Sequence, residues 1–377
     1  MNIGILGGGQ LAQMLALAGI PLGLRFTVLD PAEQAPAGAA AHVLRASFDD
    51  AAALDRLAAR SDVISLDFEN VPVAAVERLA AQRPVRPGVL ALATSQDRLA
   101  EKTLCHRLGL PTAPFAPVDS AAELAGAAAE LGTPALAKTR RFGYDGKGQY
   151  RLTHPDEAGA AWEALGGQPL ILEGWVPFDF EVSLLAVRRV NGEQRFYPLS
   201  ENRHHGGILR CSRAPFDDPE LQRQAQRYAG ALLEALDYVG VLAIEFFVQA
   251  GRLLVNELAP RVHNSGHWTI EGAQTSQFEN HLRAICDLPL GSTEPRGHAA
   301  MVNLIGEEPP LAQLAALPEL HIHRYGKSAR PGRKLGHVTV TAASAAEREA
   351  RLAPLARLCE ADVPASSLGL PDPTASR

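Results

Sequence analysis

The sequence VLAIEFFVQAGRLLVNELAPRVHNSGHWT, residues 241–269, contains two apolar runs separated by a short break. Runs 241–248 and 252–258 are rich in Val, Leu, Ile and Phe, which favour strands. The break at 250–251 is a short turn that contains glycine, so the two runs predict a β-hairpin. The hairpin indicates an antiparallel sheet in the second half of the chain.

Each strand of this predicted hairpin carries one glutamate. A pairing centred on Gly251 places Glu245 directly opposite Glu257, with Cβ atoms roughly 5 Å apart on one face. Two adjacent anions in an apolar context need a neutralising partner, and Mg2+ binds a few carboxylates together with phosphate oxygens. Asn256 adds an amide oxygen. We therefore predict Glu245 and Glu257 as Mg2+ ligands, with Mn2+ able to replace it; the alternative is two solvated glutamates on an exposed face.

Composition limits the class of protein. The chain has 377 residues, 46% of them hydrophobic, and a formal net charge of -6. This mild acidic balance argues against a general nucleic-acid or anionic-membrane binder, and no apolar run reaches the ~18 residues that span a bilayer. The four cysteines form no C-x-x-C pair, which argues against a zinc site or a disulfide framework and predicts a cytoplasmic protein.

The chain divides into three parts with different patterns. Over the first ninety or so residues, short apolar runs alternate with helical patterns, as in a parallel sheet wound with helices. The prolines of GLPTAP, residues 109–114, predict a linker. A unit of about sixty residues follows, and from about residue 170 longer strands and hairpins dominate. We expect domains at 1–109, 110–172 and 173–377.

A glycine loop, GGGQLA at residues 7–12, lies between the first predicted strand and helix. With Asp30 at the end of the second strand, it fits the fingerprint of a dinucleotide site. A tight strand-to-helix turn also favours glycine, so the role of this loop stays open.

A second glycine-rich loop follows the apolar strand that ends at Lys138. It reads TRRFGYDGKGQ over residues 139–149. Glycine backbone lets N–H groups surround phosphate oxygens, and lysines add charge. The loop predicts a phosphate site, with a glycine-rich surface hairpin as the alternative.

These motifs together resemble one enzyme family. Lys138, the 143–149 loop, Glu181 and the two hairpin glutamates look like an ATP-grasp enzyme. More narrowly, the chain resembles the N5-carboxyaminoimidazole ribonucleotide synthetases in five stretches: DFENV at 67–71, QDRLAEK at 96–102, PRVHNSGHWT at 260–269, TSQFENHLRA at 275–284 and YGKSARPGRKLGH at 325–337.

The resemblance implies an α/β and α+β chain with an ATP-grasp fold. It has an N-terminal wound parallel-sheet (pre-ATP-grasp) domain, a small middle lid domain and a larger C-terminal mixed-sheet domain. ATP then lies between the last two. The nucleotide-binding residues implied are Arg98, Lys138, Gly143, Tyr144, Asp145, Gly146, Lys147, Gly148, Gln149, Glu173, Gly174, Trp175, Val176, Glu181, His204, Asn256 and Glu257. Within this set, residues 173–176 contact the adenine edge through backbone groups and Glu181 takes the ribose hydroxyls.

The resemblance also implies a substrate site. Lys327, Arg330, Arg333 and Lys334 are interleaved with glycine and proline, so they form a cationic loop that suits a small phosphate. The substrate residues implied are Glu69, Ser265, Lys327, Arg333 and Lys334, and the catalytic residues implied are Tyr144, Asp145, Arg261, His263 and Asn264.

The implied reaction is ATP-dependent carboxylation of 5-aminoimidazole ribonucleotide by bicarbonate through carboxyphosphate, in de novo purine biosynthesis. The middle domain closes as a lid over the reactive intermediate. His263, Asp145 or the departing phosphate accepts the amine proton. The family also implies a homodimer and a separate mutase that acts on the product.

Three residues depart from the family pattern, and three other functions stay open. Ala12 and Gln13 stand where related sequences commonly show Gly-Arg, and Asp67 stands where glutamate is usual. The nearest alternative is another ATP-grasp carboxylate-amine ligase or a biotin-carboxylase-like enzyme. A non-catalytic nucleotide-sensing module and a dehydrogenase are the others.

Overall fold

The N-terminal part of the chain folds as a parallel sheet covered by helices. The structure is a computed structural model that describes residues 1–143 and 147–359. Its first elements are β1 (Asn2–Leu6), α1 (Gln10–Gly19), β2 (Arg25–Asp30), β3 (His42–Arg45), α2 (Ala51–Ala59), β4 (Val63–Leu66), α3 (Val73–Ala80), α4 (Val89–Ser95) and α5 (Arg98–Arg107). The strands are all parallel, in the order β3-β2-β1-β4. This arrangement confirms the wound parallel sheet.

A small antiparallel sheet follows. Its elements are β5 (Phe115–Val118), α6 (Ala121–Leu131), β6 (Ala135–Thr139), β7 (Gln149–Leu152), α7 (Ala158–Ala164) and β8 (Leu170–Gly174). The strand order is β5-β8-β6-β7, and Leu124, Ala137 and Leu172 pack in a core between this sheet and its helices. Strand β8 crosses the expected limit at residue 172, and the three domain ranges stay predictions.

The remaining described residues form a large antiparallel sheet with helices on both faces. The elements are β9 (Phe180–Arg188), β10 (Gln194–Phe196), β11 (Ser200–His205), β12 (Ile208–Ala214), α8 (Pro219–Ala235), β13 (Gly240–Gln249), β14 (Arg252–Ala259), α9 (Thr269–Gly272), α10 (Gln277–Ile285), β15 (His298–Ile305), α11 (Leu311–Ala315), β16 (Leu320–Arg324), β17 (Lys334–Ala342) and α12 (Ala345–Cys359). The order is β14-β13-β9-β11-β12-β15-β17-β16, with β10 on β9. Across the described ranges, no helix is both long and apolar enough to cross a bilayer.

The large sheet shares a core with the N-terminal sheet. Leu15 of α1 and Phe278 of α10 belong to the same buried cluster as Val241 of β13, whereas α8 covers the other face through residues such as Leu232. Because strand residues alternate between faces, β13 buries apolar side chains on both. This shared packing fixes the end of the N-terminal sheet against the hairpin that carries the two glutamates.

A β-bulge sets the register of this hairpin. Near the turn, Gln249 pairs with Arg252, so the turn is centred between Ala250 and Gly251 and not on Gly251. Both turn residues have positive φ, 48° and 72°, as a two-residue type I′ turn requires. A regular ladder from this turn would place Glu245 opposite Asn256.

The register shifts by one residue between Glu245 and Phe246, where Asn256 is the extra residue of β14. Glu245 therefore pairs with Glu257, as predicted, although the predicted turn centre was wrong. The Nζ atom of buried Lys102 on α5 donates to the carbonyls of Val255 and Asn256 at 3.1 and 2.8 Å. Helix α5 thus stabilises the bulge through Lys102.

Carboxylates of the chain itself occupy the N-terminal glycine loop. The Asp67 side chain accepts from Gly9 N at 2.8 Å and from Ala12 N at 2.6 Å, and Asp30 accepts from Gly8 N at 2.7 Å. A Cβ at Gly9 would collide with the Asp67 carboxylate. The loop is therefore a tight turn that closes on internal acids, which satisfy the N–H groups that a pyrophosphate would need.

We predict that Asp67→Ala lowers the free energy of unfolding by about 2 kcal/mol, because it leaves two N–H groups at the start of α1 without an acceptor. Urea denaturation followed by circular dichroism measures this change. Asp49→Ala removes an exposed acid and is the control. Equal stability of the two variants would show that Asp67 does not cap α1.

Candidate active site

A cavity of about 960 Å3 opens where the three sheets meet. Most of the predicted site residues line it: Glu69, Arg98, Lys138, Lys147, Gln149, Glu173, Gly174, Trp175, Val176, Glu181, His204, Glu245, Asn256, Glu257, Arg261, His263, Asn264 and Lys334. Gly143, Gly148, Ser265, Lys327 and Arg333 lie outside its lining. Tyr144, Asp145 and Gly146 fall outside the described residues.

A buried ion network connects the small sheet to α5. The Lys138 Nζ atom on β6 donates to Glu173 Oε2 on β8 at 2.7 Å, and Lys102 Nζ lies 3.9 Å from Glu173 Oε1. Burial opposes ionisation of Glu173, but Lys102 and Lys138 outweigh it and hold its pKa at about 2. Burial lowers the pKa of Lys138, which Glu173 counteracts. The pair therefore presents a fixed ammonium group to the cavity.

Glu173 itself was expected at the adenine edge through its backbone. Its side chain is only 4% exposed and is committed to the two lysines. The exposed residue of this segment is Trp175, whose ring carries the guanidinium of Arg151 at 4.4 Å from its centroid. Phe178 stacks on Phe247 with 4.5 Å between centroids. These rings make this end of the cavity apolar and flat.

A mixed cluster lies on β9, β11 and β13. His204 Nδ1 is 2.8 Å from Glu181 Oε2, and one ligand atom each of Glu181, His204 and Glu245 lies within 4.8 Å of the others. Burial lowers the pKa of His204, but Glu181 and Glu245 outweigh this effect and raise it. The two acids therefore favour the protonated form of His204.

The hairpin glutamates face the same cavity. Burial raises the pKa of Glu245 to about 7, with Glu257 adding to the effect and His204 opposing it. Arg98 on α5 donates from its Nη1 atom to Glu257 Oε2 at 3.3 Å. A buried carboxylate with a raised pKa is one whose negative charge is incompletely compensated. The carboxylate oxygens of Glu245 and Glu257 are hard donors of the kind that Mg2+ prefers, and these two residues would hold it.

The residues that follow β14 are held by partners from other elements. Arg261 makes a bidentate ion pair with Glu69. Its Nε atom donates to Oε2, and its Nη2 atom donates to Oε1 at 2.9 Å. Burial raises the pKa of Glu69, but the Arg261 guanidinium outweighs it and holds this pKa below its ordinary value. The Asn264 and Asn303 amides pair at 2.9 and 2.7 Å. Glu69 thus fixes Arg261 at the cavity wall.

Ser265 was expected to contact substrate, but it is fully buried beneath His263. Its hydroxyl lies 2.9 Å from His263 Nδ1. The sequence pattern could not show that His263 lines the cavity while Ser265 is buried, because residues close together in a short 3-10 turn point in different directions.

The cationic loop lies between β16 and β17. Lys334 lines the cavity, whereas Lys327 donates to Gln10 at the start of α1 and Arg333 bonds to Ser328. Arg330 is exposed. Burial, together with the neighbouring cations, lowers the pKa of Lys327 to about 8. Positive charge therefore gathers beside the N-terminus of α1.

Three models of known families match successive parts of the chain. The ribonucleotide synthetase preATP-grasp domain matches residues 1–96, the ATP-grasp domain matches 103–278, and the phosphoribosylaminoimidazole carboxylase C-terminal domain matches 299–351. The N5-carboxyaminoimidazole ribonucleotide synthase of Pseudomonas aeruginosa is 52% identical over 361 residues, which cover 96% of this chain and 100% of the relative.

The chain belongs to the N5-carboxyaminoimidazole ribonucleotide synthase family. It is an ATP-grasp ligase. The crystal structure of the synthetase from Thermus thermophilus aligns with a TM-score of 0.91 at 56% identity, over 94% of this chain and 98% of that one. A structure from Aspergillus clavatus, described as a complex with ADP and 5-aminoimidazole ribonucleotide, aligns with a TM-score of 0.89 at 34% identity, over 96% and 98%. The fold is thus the predicted ATP-grasp fold.

Sequence reasoning missed Glu101 and Lys102 of this synthase-family chain. Both lie in the quoted QDRLAEK stretch, three and four residues after Arg98, so one helix face presents all three. Glu101 is 2% exposed and accepts from Leu258 N at 2.9 Å. Helical spacing from Arg98 was the signal that could have found them.

We predict that Glu101 makes stability depend on pH. Burial raises its pKa to about 8 from an ordinary 4.5, with Glu257 adding to the effect and Lys102 opposing it. The folded chain then holds a proton that the unfolded chain releases, so stability is full below about pH 4.5 and is lost as pH rises through about 8.

Urea denaturation of the wild type and Glu101→Gln between pH 5 and 9 measures this effect. The wild type should lose free energy of unfolding relative to the variant as pH rises. Glu77→Gln, an exposed glutamate on α3, is the control. A constant difference between wild type and Glu101→Gln across this range would contradict the assignment.

Proposed function

We propose that this ligase carboxylates 5-aminoimidazole ribonucleotide with bicarbonate, using ATP and Mg2+, to give N5-carboxyaminoimidazole ribonucleotide, ADP and phosphate. The observation that carries the proposal is a cavity that the two acids of the hairpin, Glu245 and Glu257, both line. Lys138 lines the same cavity on the small sheet, and Lys334 lines it beside the cationic loop. This distribution suits a triphosphate, a metal ion and a second phosphorylated molecule.

The nucleotide would lie between the small and large sheets. Lys138, Lys147 and the backbone of the 143–149 loop would hold the phosphates, with Arg98 positioned by Glu257 at 3.3 Å. The adenine would enter the apolar end formed by Trp175, Phe178 and Phe247. Glu245 and Glu257 would hold Mg2+, which would neutralise negative charge on the phosphates.

The second substrate would place its phosphate against the cationic loop. Lys327, Arg333 and Lys334 provide the cations for this phosphate, and Lys327 lies beside Gln10 at the start of α1. The aminoimidazole would then point toward Arg261, His263 and Asn264. Glu69 contributes by holding Arg261.

The chemistry proceeds in two stages. A bicarbonate oxygen attacks the γ-phosphorus of ATP, the bond to the β-phosphate oxygen breaks, and carboxyphosphate and ADP form. Carboxyphosphate then releases phosphate as its carboxyl carbon bonds to the exocyclic amine, which loses one proton. Arg261 and Lys138 stabilise the oxygens that gain charge, and closure of the small sheet excludes water.

We further propose that the enzyme acts as a homodimer in the cytoplasm and that a separate mutase consumes its product. Within the part of the chain that the structure describes, Cys105, Cys211 and Cys286 have reduced thiols, which agrees with this location. A biotin-carboxylase-like enzyme shares the metal-binding hairpin, but the cationic loop favours a phosphorylated acceptor. Bicarbonate-dependent ADP release that is stimulated by 5-aminoimidazole ribonucleotide and not by biotin supports the proposal; the reverse pattern contradicts it.

We predict that Glu257→Gln and Glu245→Gln each lower kcat by about 10²-fold or more, because each variant removes one anionic metal ligand at the site of charge transfer. ADP release with saturating Mg2+ and ATP measures the rate. Glu234→Gln on α8, which lies on the surface, is the control for loss of one negative charge. Wild-type turnover by either hairpin variant would refute the metal assignment.

We predict that Lys327→Met raises the KM for 5-aminoimidazole ribonucleotide by roughly 10- to 100-fold, the cost of one charge-assisted hydrogen bond to phosphate. The KM for ATP, measured in the same assays, should stay close to that of the wild type and serves as the internal control. Parallel increases in both values would show that Lys327 does not select the phosphorylated acceptor.

A further inference from the structure

The backbone of His263 is fixed by a buried amide. His263 N donates to Gln277 Oε1 at 2.8 Å, and Gln277 Nε2 donates back to His263 O at 2.7 Å. Gln277 is completely buried at the start of α10. The two bonds hold the peptide of His263 in one orientation and so fix the point from which its side chain leaves the backbone.

The inner edge of the ring faces a backbone donor. Ser265 N donates to His263 Nδ1 at 3.3 Å, and the Ser265 hydroxyl lies 2.9 Å from the same nitrogen. A backbone N–H cannot become an acceptor. A hydrogen on Nδ1 would point at the hydrogen of Ser265 N, so Nδ1 must offer its lone pair.

A chain of buried hydroxyls reinforces this assignment. Ser183 Oγ donates to Ser265 Oγ at 2.7 Å and accepts a hydrogen bond from Asn202 Nδ2 at 3.0 Å. Each hydroxyl has one hydrogen. Because Ser265 accepts from Ser183, its own hydrogen is directed to His263 Nδ1.

We propose that His263 is held as the tautomer with hydrogen on Nε2, that it donates this hydrogen to an anionic oxygen in the cavity, and that Ser265 is the positioning residue for this tautomer. Nε2 lies on the cavity side, 3.5 Å from Glu245 Oε1. The tautomer follows from the structure alone, whereas the anion, bicarbonate or carboxyphosphate, rests on the proposed function.

This tautomer determines which role His263 can have in the reaction. A neutral imidazole with hydrogen on Nε2 has no lone pair to offer the cavity, so His263 stabilises an oxyanion and does not accept the amine proton. Because Nδ1 accepts from Ser265 N, the ring carries its single hydrogen on Nε2 and is neutral. The proton acceptor is then another group, the departing phosphate or Asp145.

Nitrogen NMR tests the tautomer without reference to activity. In full-length, ligand-free protein labelled with 15N-histidine, the His263 signals, assigned by their loss in His263→Gln, should show a bare Nδ1 and a protonated Nε2. In Ser265→Ala this preference should weaken. A protonated Nδ1 in the wild type, in the other tautomer or in an imidazolium, would overturn the proposal even if the enzyme carboxylates as proposed.

Paired substitutions test the donor role. Glutamine can place an amide N–H near the position of Nε2, whereas asparagine can replace only the acceptor at Nδ1. His263→Gln should retain kcat within about tenfold, and His263→Asn should lose about 10²- to 10³-fold, as when one preorganised oxyanion donor is removed. Equal and large losses in two folded variants would indicate a base and contradict the proposal.

Ser265→Ala keeps the test decisive if a His263 variant fails to fold. Its kcat should fall by about tenfold with little change in the KM for ATP, because the hydroxyl acts through the ring. Ser212→Ala is the matched control, since Ser212 donates to Asn202 Oδ1 at 2.7 Å and lies further along the same network. If Ser212→Ala changed the His263 signals and kcat as much as Ser265→Ala, the effect would be general packing and the positioning role would be wrong. If no substrate supports turnover in the wild type, the proposed function fails while the NMR result still decides the tautomer.

Discussion

The position of one buried ammonium group determines the geometry of the active site. Lys102 Nζ donates to two successive carbonyls, those of Val255 and Asn256, where β14 carries one residue more than β13. Two consecutive carbonyls of a regular strand point in opposite directions, so a single donor reaches both only where the strand is distorted. The bulge and the lysine therefore require each other, and together they bring Glu257 opposite Glu245.

The same lysine connects this hairpin to the small sheet, since it also lies 3.9 Å from Glu173. A buried ammonium group is costly unless hydrogen bonds and opposite charge compensate it. Here two carbonyls and a carboxylate do so, and Glu173 in turn holds Lys138 toward the cavity. Movement of the small sheet relative to the hairpin would strain this network, which limits how far the cavity between them can open.

The sequence was sufficient to predict the strands of the hairpin and the types of residue in the site. It was not sufficient to predict the contacts between residues that are far apart in the chain. Apolar runs and turn residues predicted the two strands of the hairpin, which the structure reproduces. The bulge at Asn256 was not foreseen, because its cause lies about 150 residues away on α5. Ser265 was assigned to substrate for a similar reason: its burial depends on Ser183 of β9, which only the folded sheet brings near. The roles of the site residues remain predictions of the proposed function.

A crystal of the enzyme grown with ADP and Mn2+ would show which residues hold the metal, because anomalous scattering locates the ion independently of the protein atoms. We predict an anomalous peak bound by carboxylate oxygens of both Glu245 and Glu257, beside the phosphates. A peak held by Glu181, His204 and Glu245, with Glu257 remote from the ion, would contradict it.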